Sequence, residues 1–381
     1  MKLFDVYPLY DIEPVKGYGA YVYDGAGNRY LDLYGGHAVI SIGHAHPTYV
    51  EAISRQVSLL GFYSNSVQNK LQQELADRLG EQSGLHDHQL FLINSGAEAN
   101  ENALKLASFH NNRSAVLALK KGFHGRTSAA VRATDNPRIQ AAINQGIEVT
   151  YLELEDLDAI KNHLLSKKYT AFLAEAIQGI GGIHVADPSA LLQVREWCRE
   201  TDTLFISDEI QCGYGRSGMF FAYQAIPDLE PDLVTVAKGM GNGFPIGGLL
   251  IHPRFKAWHG MLGTTFGGSH LACAAGIAVL EVIEKEKLVE KTAQLGQYLM
   301  ERLTEVPGLV EIRGRGLMVG IELDGPVAAL RKRLLFEKHI FTGSSSDPNV
   351  IRLLPPLNIQ KVQLNEFLQA FTEIMQSTPA L

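Results

Sequence analysis

A lysine, Lys238 in Ala237-Lys238-Gly239-Met240-Gly241-Asn242-Gly243, follows a short apolar run, and an acid pair, Asp208-Glu209, follows another run ending in Leu204-Phe205-Ile206-Ser207. A lysine at the end of a buried strand is stripped of water, which favours the neutral amine and makes it a nucleophile or a base. Neighbouring side chains on a strand point opposite ways, so Asp208 and Glu209 face different surroundings. A buried carboxylate is costly unless paired, and Asp208 therefore needs a cation, a metal or a protonated ring nitrogen. On these residues alone two possibilities stand: a structural Lys238–Asp208 ion pair, or two groups acting on something bound between them.

Two further segments place anion-binding or aromatic groups after apolar runs. Gln89 to Ile93 leads into Asn94-Ser95-Gly96-Ala97-Glu98-Ala99-Asn100, after which Leu104, Ala107 and His110 recur at helical spacing. Free N–H groups and the helix dipole at such a start favour a phosphate, although a Ser-Gly pair also serves as an ordinary cap. The next run ends in Gly122-Phe123-His124-Gly125-Arg126-Thr127. Phe123 suits stacking on a planar ligand, and equally suits sealing the core with Arg126 paired to a surface carboxylate. Gly213-Tyr214-Gly215-Arg216-Ser217-Gly218 spells G-x-G-x-x-G, but the aromatic, proline-bearing stretch after it opens no helix, so the dinucleotide-binding context is missing. The His44/His46 and His86/His88 pairs lack a third ligand, and no metal site is expected.

These groups need a scaffold that delivers strand ends to one edge. Gln89 to Ile93, Ala115 to Leu119, Val149 to Leu152, Ala171 to Ala174, Leu204 to Ile206 and Leu233 to Val236 alternate with helical periodicity, the pattern of buried, mostly parallel strands. Asp187-Pro188 offers a capping carboxylate and a proline at the first helical position, followed by Leu191, Val194 and Cys198 at helical spacing. The result is an open α/β sheet, whose ligands bind beyond the carboxyl ends of the strands. Earlier, Tyr21-Val22-Tyr23 and Tyr30-Leu31-Asp32-Leu33 flank a glycine-rich turn and predict a hairpin. After Pro307 the pattern becomes α+β: Leu317 to Leu323, Asn349 to Leu353, and an amphipathic helix from about Lys361 to Gln376. Together with the hairpin this segment is expected to form a small domain, giving 1–50 and 290–381 to the small domain and 51–289 to the large one.

Composition narrows the class. A chain of 381 residues, 46% hydrophobic, supports a large core. Lys plus Arg number 34 against 41 Asp plus Glu, a net charge of −7 that argues against nucleic acid or anionic membrane as a partner. No signal-peptide or membrane-spanning run is visible and the three cysteines suit reduced core thiols, so a cytoplasmic location is expected. The 37 glycines are clustered, pointing to loops where backbone approaches a ligand.

In order and spacing, over essentially the whole chain, these segments resemble the class III, ornithine-type, pyridoxal-5'-phosphate (PLP) aminotransferases, and among them the N-acetylornithine group. The resemblance implies the type I PLP-dependent transferase fold, a mostly parallel α/β large domain with a small α+β domain built from both termini, and a homodimer with shared active sites. It makes Lys238 the Schiff-base lysine and Asp208 the partner of the pyridinium nitrogen. Phe123 and Ile210 would cover the two ring faces, Gln211 would lie near the ring hydroxyl, and Ser95, Gly96 and Ala97 would bind the phosphate. Thr265, in Gly263-Thr264-Thr265-Phe266-Gly267-Gly268, would reach the phosphate of the partner subunit. Arg126 would hold the donor's α-carboxylate, and Arg352, in Ile351-Arg352-Leu353-Leu354-Pro355-Pro356, that of glutamate or 2-oxoglutarate. The implied reaction moves the δ-amino group of an N-acylornithine, acetyl ahead of succinyl, to 2-oxoglutarate in arginine biosynthesis. The alternatives are an ω-aminotransferase acting on free ornithine or 4-aminobutyrate, a PLP racemase or aminomutase, and a non-catalytic PLP-binding regulator.

The departures bear on the substrate. The family's Glu-Pro-Ile-Gln-Gly-Glu-Gly-Gly is here Glu175-Ala176-Ile177-Gln178-Gly179-Ile180-Gly181-Gly182, so the glutamate that covers the acceptor arginine in relatives is Ile180. An uncovered buried guanidinium is costly, and Glu175, another carboxylate or the donor itself is expected to compensate. His37 replaces an isoleucine or tyrosine on the donor's path, which hints at a more polar acyl group. Ser269-His270 replaces the common Asn-Pro.

Overall fold

The computed structural model describes residues 1–377 and is built around a seven-stranded sheet. Its spatial order is Gln89–Ile93, Gly247–Ile251, Leu233–Val236, Leu204–Asp208, Tyr169–Ala174, Ala115–Leu119, Val149–Leu152. Six strands run the same way, and they are the six that the apolar runs predict. The seventh, Gly247–Ile251, is unpredicted; it lies antiparallel between Gln89–Ile93 and Leu233–Val236.

Alternation explains why the sheet needs helices on both faces. Leu117, Phe172, Phe205 and Val234 point into one apolar cluster, while Val116, Ala118, Ala171, Leu173, Leu204 and Ile206 point into the other. The first cluster is closed by Leu191, Val194 and Cys198 of the helix Pro188–Thr201, the second by Ala103, Leu104, Leu106 and Ala107 of the helix Gly96–Asn111. Each such buried Leu, Val or Phe contributes about 1.5–3 kcal/mol over the exposed state. The start of Pro188–Thr201 is fixed as expected, the Asp187 carboxylate accepting from Ala190 N at 2.8 Å. Cys198, Cys212 and Cys273 are buried and free.

The chain's two ends meet in one sheet. Tyr21–Asp24 and Arg29–Asp32 form the hairpin, its turn held by Asp24 Oδ1, which accepts from Ala26 N and Asn28 N. Ile340–Phe341 then joins Arg29–Asp32 in parallel, with Leu31 opposite Ile340. Leu309–Arg315, Met318–Leu323 and Val350–Leu353 make a three-stranded antiparallel sheet beside it, and Lys361–Ser377 is helical. The residues 213–218 form turns without a helix, so the glycine-spaced motif there opens no nucleotide-binding unit. Among the described residues no helix is long and apolar enough to cross a membrane.

Candidate active site

The two acids at the end of Leu204–Asp208 have separate roles. Glu209, 1% exposed, turns away from the sheet edge and accepts from Ala222 N at 2.7 Å and Tyr223 N at 2.9 Å, pinning the loop after it. Burial pushes its carboxyl up to about 7, against those hydrogen bonds. A carboxyl raised in the folded state stabilises the fold fully below its unfolded value, and that contribution is lost as pH rises toward 7. Urea unfolding at pH 5 and pH 8 should therefore show a smaller difference in stability in Glu209→Gln than in the parent; an unchanged difference would rule out Glu209 as its source.

Asp208, 2% exposed, faces the other way. Its Oδ2 lies 2.7 Å from His124 Nδ1 and accepts from Asn100 Nδ2 at 2.8 Å, while Oδ1 accepts from Ile210 N at 3.0 Å. His124 Nε2 is buried without a partner. Asn100 in turn holds the His124 carbonyl at 2.8 Å, so the aspartate is fixed by a histidine and an amide that are themselves joined. Sequence reasoning gives neither of them a role. A buried Asn on the inner face of a helix was the one available signal.

Lys238 opens a single 3₁₀ turn after Leu233–Val236 with φ of 45°, a left-handed conformation that costs a lysine energy and is held by the bonds Met240 N to Ala237 O and Gly241 N to Lys238 O. Desolvation lowers its pKa, and the Asp208 and Glu175 carboxylates oppose that shift. Among the described residues Lys238 forms no ion pair with Asp208. The first of the two possibilities raised by the sequence is thus absent: both side chains border a cavity of about 370 Å³.

That cavity collects most of the residues singled out. Ser95, Gly96, Ala97, Phe123, Arg126, Glu175, Ile180, Asp208, Ile210, Gln211 and Lys238 line it. Ser95 caps the helix Gly96–Asn111, its hydroxyl accepting from Glu98 N at 3.2 Å, so the Gly96 and Ala97 N–H groups stand ahead of the first helical bond at Ala99. A Cβ on Gly96 would fall 2.7 Å from Ile210 Cγ2, which explains the glycine. Arg126 is exposed at the cavity, with no hydrogen bond or ion pair among the described residues. Glu175 is buried and receives Phe123 N and Gly179 N, each at 3.0 Å. Burial raises its pKa, with His124 opposing and Asp208 adding to the rise.

Three residues stand elsewhere. Arg352 is 1% exposed and lies behind the wall, its Nη1 donating to Gln211 Oε1 at 3.2 Å and its Nε to the Ser344 carbonyl. The expected carboxylate contact is not made: Glu175 acts on Arg352 only through space, and a neutral amide is the side-chain partner. His37 does not line the cavity; its carbonyl accepts from Gln211 Nε2 at 3.1 Å and its ring lies against the Tyr34 hydroxyl, in a left-handed stretch that runs from Gly35 to Ala38. Partial desolvation, then Arg352 and Lys238, hold its imidazole below the ordinary range. Thr265 does not line this cavity; its loop borders a separate hollow, where Asn65 Nδ2 donates to Gly267 O at 3.1 Å. Ser269, by contrast, is explained locally, since its hydroxyl caps the helix His270–Lys285 at Ala272 N.

The donor set fits PLP. A buried aspartate with Oδ1 bonded only by a backbone N–H leaves a lone pair for a protonated ring nitrogen, a desolvated amine borders the same space, and the glycine-backed helix start suits a phosphate. This combination on a mostly parallel sheet defines a PLP-dependent enzyme. The class III aminotransferase family matches residues 6–375. The acetylornithine aminotransferase of Caldanaerobacter subterraneus subsp. tengcongensis is 40% identical over 98% of this chain and 97% of its own. Among solved structures, the acetylornithine aminotransferase of Elizabethkingia anophelis superposes with a TM-score of 0.84 at 28% identity, covering 98% of this chain and 96% of that one. The ornithine aminotransferase of Toxoplasma gondii gives 0.87 at 28% identity, over 97% and 92%. The chain belongs to the class III aminotransferases, and its cofactor is pyridoxal 5'-phosphate.

Proposed function

We propose that this protein transfers the δ-amino group of N-acetylornithine to 2-oxoglutarate, giving N-acetylglutamate semialdehyde and glutamate in arginine biosynthesis. The observation that carries this reading is the 40% identity to an acetylornithine aminotransferase across nearly the full length of both chains. N-succinylornithine is the second donor, favoured by the imidazole of His37, whose carbonyl is held by the cavity-lining Gln211. The protein works in the cytoplasm as a homodimer, with the small domain formed by 1–50 and 290–381 and the large one by 51–289.

Bound PLP supplies an electron sink for the carbon that bears the substrate amine. Asp208, held by His124 and Asn100, keeps a proton on the ring nitrogen. Ser95, Gly96 and Ala97 would hold the phosphate with Thr265 of the partner copy, and Phe123 and Ile210, which line the same cavity, would flank the ring. Lys238 would hold the cofactor covalently, and its desolvated Nζ, when free, would be the base for the proton on the substrate's δ-carbon. Arg126 receives the donor's carboxylate and Arg352 the acceptor's. Glu175 fixes the backbone of Phe123 and Gly179, and so shapes the pocket that the substrate enters.

The test is to add acetylornithine, succinylornithine, ornithine and 4-aminobutyrate singly to the PLP-loaded enzyme and follow cofactor absorbance. Acetylornithine should change the spectrum at the lowest concentration; a response to ornithine or 4-aminobutyrate alone would refute the assignment, and turnover without any keto acid would point to a racemase or aminomutase. Arg126→Ala should raise the donor KM about 10- to 100-fold, the worth of one charge-assisted hydrogen-bonded contact. A raised acceptor KM with an unaltered donor KM would place Arg126 on the wrong substrate.

A further inference from the structure

The turn that carries Lys238 is strained twice. Lys238 has a φ of 45°, and so does Asn242 four residues on. An asparagine visits this left-handed region at modest cost because its short amide can bond locally; a lysine has no such help. The bonds within the turn close it without fixing where it lies on the fold. Its placement comes from side chains that join it to residues 41–49. Ser41 Oγ donates to Gly239 O at 2.7 Å, and the Tyr49 hydroxyl donates to Gly241 O at 2.8 Å. Asn242 answers from the turn itself: its Oδ1 accepts from Ser41 N at 2.9 Å and Ile42 N at 3.1 Å, and its Nδ2 donates to Gly43 O at 3.0 Å.

These bonds are made in a dry place, Ser41 being 2% and Asn242 5% exposed. There a hydrogen bond is stronger than in water, and a group left without its partner is costly, so the turn has one favoured position. The packing allows little slack, since a Cβ on Gly239 would lie 3.4 Å from Tyr214 Cβ and 3.5 Å from Ser41 Cβ. Ser41 is held from its other side as well. Leu357 N donates to its carbonyl at 2.7 Å, shortly after the strand Val350–Leu353. Lys238 lines the cavity, whereas Ser41, Tyr49 and Asn242 lie outside its lining. Any effect of these three on the chemistry passes through the backbone of residues 238–243.

We propose that Ser41, Tyr49 and Asn242 are positioning residues for Lys238, their five hydrogen bonds holding the left-handed turn so that Nζ keeps one place on the cavity wall. The proposal rests on the reading that Lys238 is the covalent anchor and the base. Without the clamp, φ at Lys238 relaxes toward the ordinary region, and a rotation at the root of so long a side chain swings its amine away from the reacting carbon. A misplacement of about 1 Å costs about 100-fold in rate. Arg126 and Arg352 stand on other segments, so substrate binding is spared.

The experiment compares the PLP-loaded enzyme with two variants. Ser41→Ala removes one hydrogen bond and should lower kcat about tenfold; Asn242→Gly removes three while still permitting the positive φ, and should lower it about 100-fold. In both, the KM of donor and acceptor should stay within about twofold of the parent. The second readout is the pH midpoint of the cofactor's visible absorbance, which reports the proton on the nitrogen at Nζ. Looser placement gives that nitrogen more water and favours its protonated form, so the midpoint should rise by about half a unit or more. A packing defect would lower the melting temperature and leave the midpoint alone. Parental kcat and midpoint in Ser41→Ala would overturn the proposal, as would activity lost in step with melting temperature at an unaltered midpoint. If Asn242→Gly fails to fold, Ser41→Ala decides by itself. Borohydride that leaves position 238 of the parent unlabelled would remove the underlying reading of Lys238, a result distinct from failure of the clamp.

Discussion

Replacing Lys238 with alanine is expected to lower turnover about 10⁴-fold or more, the loss of a positioned proton carrier alone being worth about 10²- to 10⁴-fold. The amine has no substitute nearby: the other polar side chains that line the cavity are one arginine, two carboxylates, two amides, a serine hydroxyl and one imidazole, and that imidazole is bound to Asp208. Two measurements make the prediction specific. Borohydride should fix the cofactor to the parent chain at position 238 and leave the variant unlabelled. Small primary amines should restore part of the variant's single-turnover rate, since they can enter the space left by the side chain; a variant that keeps its rate without them would remove Lys238 from the chemistry.

Asp208→Asn is expected to reduce kcat about 10²- to 10³-fold, the usual cost of removing one preorganised electrostatic partner of the reacting group, with a smaller effect on cofactor retention. The asparagine can accept from His124 or Asn100 through its oxygen, but its NH₂ then meets the Ile210 N–H or the ring nitrogen as a second donor. The ring nitrogen loses its anion while phosphate and ring-face contacts remain. Cofactor content after dialysis, read beside kcat, separates the two effects, and loss of PLP in proportion to loss of activity would contradict an electronic role. Substituting His124 tests the supporting network, and it should shift the pH profile of kcat in a way that a packing defect would not.

Much of the scaffold was legible because its signal is local. Six apolar runs of strand length gave six strands, and Asp187-Pro188 marked a helix start that the hydrogen bonds place at the same residue. The strand Gly247–Ile251 escaped because it begins Gly-Gly shortly after a proline, a pattern that reads as loop until its pairing with two neighbours is seen. At the site, Lys238 and Asp208 stood out through residue type and strand-end position, and the cavity brings them together with the phosphate-loop residues. The groups that hold Asp208 did not stand out, because Asn100 and His124 come from two other segments and only the fold makes them neighbours. Arg352 shows the same limit. The absence of a glutamate at position 180 predicts an unmet charge that a carboxylate would answer, whereas the structure uses an amide from the loop just beyond the Leu204–Asp208 strand.

The reversed strand has a consequence for redesign. Laid against its six companions, Gly247–Ile251 offers its opening residues where they offer their closing ones, so Phe244, Pro245 and Ile246 furnish part of the pocket wall while His252 and its successors emerge on the remote rim. Loop grafts meant to broaden the repertoire of amines belong upstream of this strand but downstream of the others, and libraries that treat every strand–helix junction alike would spend a share of their diversity on the wrong side of the molecule.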